Sequence, residues 1–566
     1  MKSIKKIVCV SIAALMFLCA NKKSEAQVIS SHFFGENAWM PDTVGNAGAC
    51  TDPPCILNGK LHQHWNDIKT SNATIVRFGG TAPDKNMPTN YQYIRVIDSV
   101  RAKGMEPVIQ VPFYNNRYTA AQAADIVHYI NVVKGMHIKY WIIGNEPNLG
   151  YSYTTAAQIA NYFKPFASAM KNVDPSILIV GPEIAWFDQS IIDGLTTPGG
   201  PNDITGKDPA GRYYLDVITF HTYPFNGTQT RAQVVSKLTS ANSMKDNLAY
   251  LNTRVAAANS YHARGGASAL KTAITEANIA WQNNLGDGIS ELGTNSFLGG
   301  QFVAEMMSVG LKYSVDFMNV WSVIEGNSPV NDIGYIDPST NIKKPLFYHF
   351  KMMADNFKGN YANGTTNQPN VKAFGSKNAA EINVMVLNEE LTGSYNYTVR
   401  LNTTAIAGTS PLKINLDASV AMEYTDVVPS QSTVLLTFNA SGTLLRKTTY
   451  SLNDALANLA PTTTNFVTTG VAATEAPVDD NNFDVKVYPN PSAGKFTVEL
   501  NKNNISEKEY EVMIVNIIGQ EVYKKKTKFE GKKENIDLDG MLAAGTYIVR
   551  VKQGDGIITK KIIVGS

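Results

Sequence analysis

Trp141-Ile142-Ile143-Gly144-Asn145-Glu146-Pro147-Asn148 decides how the rest of the chain is read. A short apolar run passes directly into a polar triplet. Proline withholds a backbone donor and so ends a strand. Glu146 is thereby expected at the C-terminal tip of a buried strand. A second stretch repeats the arrangement: Thr272-Ala273-Ile274-Thr275-Glu276-Ala277-Asn278 is again a β-rich run that ends in an acid. Two such strands with acidic tips point to a parallel sheet whose C-terminal edge carries chemistry.

Working outward, short β-rich runs alternate with longer helical stretches from about residue 28 to 357. The predicted strands are 32–39, 74–78, 106–111, 138–143, 177–181, 217–221, 272–275 and 317–321. Most of them lack strict polar alternation, as strands buried on both faces do. Amphipathic stretches such as 120–133 and 158–172 lie between them. Eight strands is the number that closes a (β/α)₈ TIM barrel, here assigned to residues 27–360. An open doubly wound sheet would show a Gly-rich phosphate loop after its first strand, and none is present.

Past the barrel the pattern turns to strands without helices. Residues 361–450 read as a β-sandwich packed on the barrel, with runs such as Glu381-Ile382-Asn383-Val384-Met385-Val386-Leu387. Residues 451–482 are rich in Ala, Thr, Asn and Pro and read as a linker. Residues 483–566 form a last β-rich unit.

The N-terminus reads as a signal peptide over residues 1–26. Lys2, Lys5 and Lys6 precede an apolar run over 7–20, and Ser24-Glu25-Ala26 supplies small residues at the cleavage positions. The run is too short for a stable transmembrane anchor. The whole chain has a formal charge of +2, and loss of five lysines and one glutamate with residues 1–26 takes it to −2. So small a charge excludes nucleic acid and anionic membrane as electrostatic partners. With charged residues at 17% and hydrophobic ones at 44%, the composition is that of a globular protein. The mature chain keeps two cysteines, Cys50 and Cys55, five positions apart in an exported protein; they read as a disulfide. His62 and His64 lack further ligands nearby and read as structural, so neither metal nor cofactor is expected.

The chemistry centres on Glu146 and Glu276. Acids on the fourth and seventh strands face each other across a barrel mouth, where one can protonate a leaving oxygen and the other attack as nucleophile. Asn145 can hydrogen-bond a sugar hydroxyl, and Arg77, at the end of the second strand, can orient the nucleophile and hold it ionised. His221 and Tyr223 end the sixth strand, next to the seventh; Tyr223 can hydrogen-bond Glu276, and His221 can contact the substrate or the acid. Trp321 ends the eighth, where an indole can carry a sugar ring; Trp39, Trp186 and Trp281 lie near other strand ends. Glu183 and Glu325 compete with the two acids, or bind substrate.

These residues together resemble the glycoside hydrolases of clan A. The matching points are Arg77, Asn145-Glu146-Pro147, His221, Tyr223, Glu276 and Trp321, over about residues 28–445. Families 39, 51, 79, 30 and 44 are similar. The resemblance implies retaining hydrolysis of β-linked polysaccharide or oligosaccharide, with Glu146 as acid/base and Glu276 as nucleophile. A transglycosylase would use the same residues. A non-catalytic carbohydrate-binding or adhesion protein is the remaining alternative, against which both intact glutamates argue.

The last unit opens with Val487-Tyr488-Pro489-Asn490-Pro491 and continues through Gly545-Thr546-Tyr547-Ile548-Val549 to Lys560-Lys561-Ile562-Ile563-Val564. This resembles the C-terminal sorting domain of type IX secretion cargo in Bacteroidetes. It implies export through the periplasm to the outer surface or medium, with the secretion machinery as partner.

Overall fold

The computed structural model describes residues 27–39, 61–283, 288–325, 332–337, 339–402, 412–466, 484–501, 509–516, 521–529, 532–553 and 556–565. The expected signal peptide and the Cys50–Cys55 disulfide lie outside the described residues.

Eight parallel strands close into a barrel. They are β1 (Phe34–Asn37), β2 (Ile75–Phe78), β3 (Glu106–Val111), β4 (Tyr140–Ile143), β5 (Leu178–Ile184), β6 (Val217–Thr222), β7 (Lys271–Ala277) and β8 (Met318–Val320). Closure comes from β8 pairing with β1, through Phe34 opposite Met318 and Glu36 opposite Val320. Both strand faces are buried, which is why the runs do not alternate in polarity. Ile75, Val108, Ile142, Val217 and Phe317 pack inside the barrel. Their chain neighbours Val76, Ile109, Ile143, Ile218 and Met318 face the surrounding helices. Four of those helices begin on the same signal, Thr-x-x-Gln: Thr89, Thr119, Thr155 and Thr230 each close a capping box with a glutamine three residues on. The reciprocal bonds satisfy two of the donors that a helix start leaves free.

Some strand boundaries differ from expectation. β5 runs through Gly181-Pro182-Glu183 to Ile184, and β7 continues past Thr275 to Ala277. Glu183 and Glu276 are therefore inside strands, not at their tips. The cause is an extra residue on each strand, described with the site below.

Nine further strands follow: β9 (Asn360–Thr366), β10 (Val371–Lys377), β11 (Glu381–Asn388), β12 (Tyr395–Arg400), β13 (Leu412–Leu416), β14 (Glu423–Val428), β15 (Ser432–Asn439), β16 (Leu444–Ser451) and β17 (Thr462–Asn465). β9 joins two layers, pairing with β10 through Asn360–Asn363 and with β13 through residues 364–366. On β11, Ile382, Val384 and Val386 face the sandwich core, while Met385 and Leu387 join the barrel's core. This strand is buried on both faces, and its apolar run reflects that. The sheet extends beyond residue 450 into the stretch read as linker: the helix Leu452–Leu456 and β17 follow, and β17 pairs with β16. β17 is Thr-Thr-Thr-Asn and fully exposed, so no hydrophobic pattern marks it.

The C-terminal unit, residues 469–566, has two sheets around one apolar cluster. One holds β18 (Asp484–Tyr488), β19 (Lys495–Asn501) and β22 (Lys533–Asp537). The other holds β20 (Tyr510–Asn516), β21 (Glu521–Thr527), β23 (Gly545–Gln553) and β24 (Gly556–Val564). Val485, Val498, Val512, Ile514 and Val549 fill the space between them.

Candidate active site

Two residues above the apolar layer inside the barrel, the same inward positions become polar. Arg77 follows Ile75 on β2 by one alternation and is fully buried. Its Nη1 donates to Glu276 Oε1 and Asn37 Oδ1, both at 2.9 Å. Its Nη2 donates to Glu183 Oε2 at 2.9 Å and Asn145 Oδ1 at 2.8 Å. A guanidinium presents five donors in a rigid fork, so one side chain can hold four strands' worth of acceptors.

Glu146 leaves β4 in the left-handed region, with φ 47°. Such a backbone costs a non-glycine residue about 1–3 kcal/mol and is kept where surroundings hold it. Here its N–H donates to Glu183 O at 2.9 Å, and its carbonyl accepts from Gly150 N at 2.7 Å. The side chain is partly exposed, and Oε1 lies 3.0 Å from His221 Nδ1.

Glu276 reaches the interior through a β-bulge. Phe220 pairs with Ile274, but the next partner of His221 is Glu276, so Thr275 is an extra residue on β7. A bulge re-aims side chains that strict alternation would send to opposite faces. Thr275 Oγ1 donates to Glu183 Oε1 at 2.7 Å, and Glu276 Oε2 accepts from Tyr223 Oη at 2.8 Å. β5 carries a second bulge between Gly181 and Ile184 against β6. It turns Glu183 inward, with φ 60°, to a fully buried position.

His221 lies between the acids. Its Nδ1 is 3.5 Å from Glu276 Oε2, and its Nε2 is 3.4 Å from Glu183 Oε2. Burial lowers the imidazole, but Glu276 and the bonds to Glu146 and Glu183 outweigh burial and raise it to about 10. Burial likewise pushes Glu183 up, and Arg77, His221 and Thr219 overturn that, holding it at about 2. Glu276 goes the other way: burial raises it, His221 and Arg77 pull it down, Glu146 adds to the rise, and the Tyr223 bond opposes. The net direction is up, so Arg77 orients Glu276 without giving it a low pKa. Among the described residues, Glu146, His221 and Glu276 bring three donor atoms within 4.8 Å of one another.

The acids open on a cavity of about 760 Å³. Trp321, Trp186 and Trp281 line it with Glu146, His221, Tyr223 and Glu276. Trp186 and Trp281 are 48% and 55% exposed, unusual for indoles in the absence of a partner. Trp321 lies against Gly80, whose φ is 108° and whose Cβ, if present, would sit 2.6 Å from the indole Cη2. Glycine there admits both the backbone and the ring. Glu325 is buried beside Trp321, bonded by Ser322 Oγ at 3.0 Å, and burial raises it to about 8. Neither Glu183 nor Glu325 lines the cavity, and nor does Trp39, which is half-buried after β1. His64 is buried against Asp67, 3.1 Å away, and His62 is in the short helix Leu61–Gln63; neither lines the cavity.

Three members of the polar layer were not singled out from sequence. Asn37 donates to Thr275 O at 2.9 Å while accepting from Arg77. Gln110 accepts from Gly80 N at 2.7 Å. Thr219 Oγ1 donates to Glu183 Oε1 at 2.7 Å. The available signal was a polar residue interrupting an apolar run, as in Val108-Ile109-Gln110-Val111.

Residues 486–565 match the family described as the secretion system C-terminal sorting domain. The C-terminal unit is therefore a type IX sorting domain, and it directs the chain to the cell surface or beyond. Among the described residues no helix is long and apolar enough to cross a membrane. No curated protein sequence matches the chain. Among solved structures, an α-L-arabinofuranosidase from Thermotoga maritima is similar at 16% identity and a TM-score of 0.50, covering 73% of this chain and 98% of that one. A family 44 xyloglucanase from Paenibacillus polymyxa has 13% identity and a TM-score of 0.47, covering 72% and 96%. A family 39 β-xylosidase from Caulobacter crescentus has 15% identity and a TM-score of 0.45, covering 67% and 82%. At 16% identity the likeness to the first of these is one of fold alone.

Proposed function

We propose that the chain is a secreted retaining glycoside hydrolase acting on β-linked polysaccharide or oligosaccharide. One observation carries the reading: Glu146 and Glu276 approach within 4.8 Å at the mouth of an aromatic-walled cavity. Retaining enzymes separate their carboxyls by about 5–5.5 Å, and inverting ones by about 6.5–9.5 Å to admit a water. The approach fits the first class.

Glu276 attacks the anomeric carbon, and the glycosidic C–O bond breaks as Glu146 gives its proton to the leaving oxygen. The glycosyl ester on Glu276 is then displaced by a water that Glu146 deprotonates. Tyr223 and Arg77, each bonded to a different oxygen of Glu276, keep that carboxyl turned to one trajectory. Because burial lifts Glu276, activity is expected to rise with pH as this carboxyl ionises, giving an acid limb above the ordinary carboxylate range. The three indoles supply flat apolar faces for sugar rings.

Screening plant and algal polysaccharides and matching aryl glycosides identifies the sugar. A 2-fluoro glycoside of that sugar should then label Glu276, and NMR of the first product should show retained configuration. A label on another acid, or an inverted product, defeats the assignment.

A further inference from the structure

Glu183 is fully buried, does not line the cavity and so cannot touch substrate. Its oxygens are saturated nonetheless. Oε1 accepts from Thr219 Oγ1 and Thr275 Oγ1, each at 2.7 Å. Oε2 accepts from Arg77 Nη2 at 2.9 Å and faces His221 Nε2 at 3.4 Å. Four donors from β2, β6 and β7 converge on one carboxylate delivered by the β5 bulge.

The consequence falls on His221. Its Nε2 faces Glu183, and its Nδ1 faces Glu146 Oε1 at 3.0 Å and Glu276 Oε2 at 3.5 Å. A neutral imidazole has a single N–H, so one nitrogen's lone pair would be aimed at a carboxylate. A neutral imidazole could serve both sides only by accepting a proton from Glu146 at Nδ1, which leaves the Glu276 carboxylate, 3.5 Å from the same nitrogen, facing a lone pair; the imidazolium serves Glu183 and an ionised Glu276 together.

We propose that Glu183 is a positioning residue: a fixed buried anion that keeps His221 protonated on both nitrogens, so that its Nδ1–H serves whichever of Glu146 and Glu276 carries the negative charge. This rests on reading those two as the reacting pair. In the first half-reaction Glu276 loses its charge on forming the ester, while Glu146 gains one on giving up its proton. The charge moves from one carboxyl to the other, and His221 Nδ1 is within reach of both. The titratable groups around the imidazole are Glu146 on the β4 side, Glu183 on β5 and Glu276 on β7, with Tyr223 beyond it in the chain. Arg77, on β2, faces Glu183 and Glu276. Without the Glu183 charge, the two cations would share Glu276 alone, and the imidazole would more readily release its proton. The upward shift of His221 to about 10 agrees with the geometry.

The test uses the full chain, with Glu183→Gln and Glu183→Asp. Imidazole ¹⁵N titration, assigned with His221→Asn, reads the proton directly. Wild-type His221 should remain doubly protonated at pH 8. In Glu183→Gln its titration, and the alkaline limb of kcat/KM on the fastest 4-nitrophenyl glycoside, should both move down by about one pH unit or more. Turnover should fall about 10- to 100-fold, a part of what acid–base support is worth, with little change in KM. Glu183→Asp, which keeps the charge, should recover most of the titration. A wild-type His221 that titrates below pH 7 overturns the proposal, whether or not the variants fold. So does a folded Glu183→Gln with unchanged titration and pH profile. Failure of the 2-fluoro glycoside to label Glu276 in the wild type would instead strike the hydrolase reading, while the imidazole titration would still report on Glu183.

Discussion

Two layers inside the barrel, one step of strand alternation apart, differ in almost every respect. Ile75, Val108, Val217 and Ala273 lie in the lower one, and Arg77, Gln110, Thr219 and Thr275 stand two residues further along the same strands. The lower layer is held by non-directional burial, in which each side chain needs volume and no particular partner. The upper is held by directed bonds among buried charges, where removing one group strands its partners. One layer should therefore fail gradually, through stability. The other should fail through function, and as a unit.

The largest effect is expected at the top. Glu276→Ala should lose at least about 10⁴-fold in kcat, as removal of a covalent nucleophile does. Azide should restore part of the rate with inverted product. Near-normal turnover would remove the upper layer's claim to chemistry. Glu146→Ala should lose less, about 10²–10⁴-fold, and only where the leaving group needs a proton. On an activated aryl glycoside the first step should survive, with azide giving product of retained configuration; equal loss on good and poor leaving groups would argue against the acid role.

Phe317→Ala tests the lower layer. Phe317 is fully buried in the barrel interior, and such a truncation costs about 3–5 kcal/mol. Denaturant unfolding should show that loss, while kcat of the folded fraction stays within about threefold of wild type, since the apolar layer does not touch the acids. A large fall in kcat without loss of stability would show that the layers are not separable.

The pH dependence of stability should divide them too. Glu183 is lowered from 4.5 to about 2, so its stabilisation is present above 4.5 and lost as pH falls toward 2. His221 is raised from 6.5 to about 10, so its contribution is complete below 6.5 and lost as pH rises to 10. Glu325, raised to about 8, loses stability in the same direction between 4.5 and 8. Phe317→Ala should lower this curve without changing its shape.

The smallest effect should come from removing the sorting unit. A chain of residues 27–468, which keeps β17 on its sheet, should show wild-type turnover in vitro while failing to reach the surface of its native host. Ending at 450 should cost stability in addition, because β17 is lost and β16 loses its last residue. Inactivity of a folded 27–468 chain would mean the catalytic unit is misdrawn.

Much of this molecule was legible from residue order. Eight β-rich runs predicted eight parallel strands because burial on both faces leaves a local mark, a run of apolar residues. Thr-x-x-Gln stands at four helix starts, a signal complete within four residues that the amphipathic stretches alone did not use. Asn145-Glu146-Pro147 marked a strand tip because proline acts on its own backbone. The sorting motifs of the last unit were equally direct. β17 escaped notice because an exposed edge of threonines has no pattern to read.

The acids' geometry was a different matter. Sequence put Glu183 and Glu276 at the tips of their strands, where Glu183 was a competing acid and Glu276 a partner for Arg77 only in the sense that both sat at the same edge. A period of two would send Thr275 and Glu276 to opposite faces, and a bulge sends both inward. A second bulge brings Glu183 beneath His221, where it can no longer compete for substrate. Whether a strand carries an extra residue is decided by its register against its neighbours on either side, here β6 and β8 for β7. Residue order determined which side chains could do the chemistry, since that depends on what each one is; only closure of the barrel decided which of them meet, because that depends on pairing between strands distant in the chain.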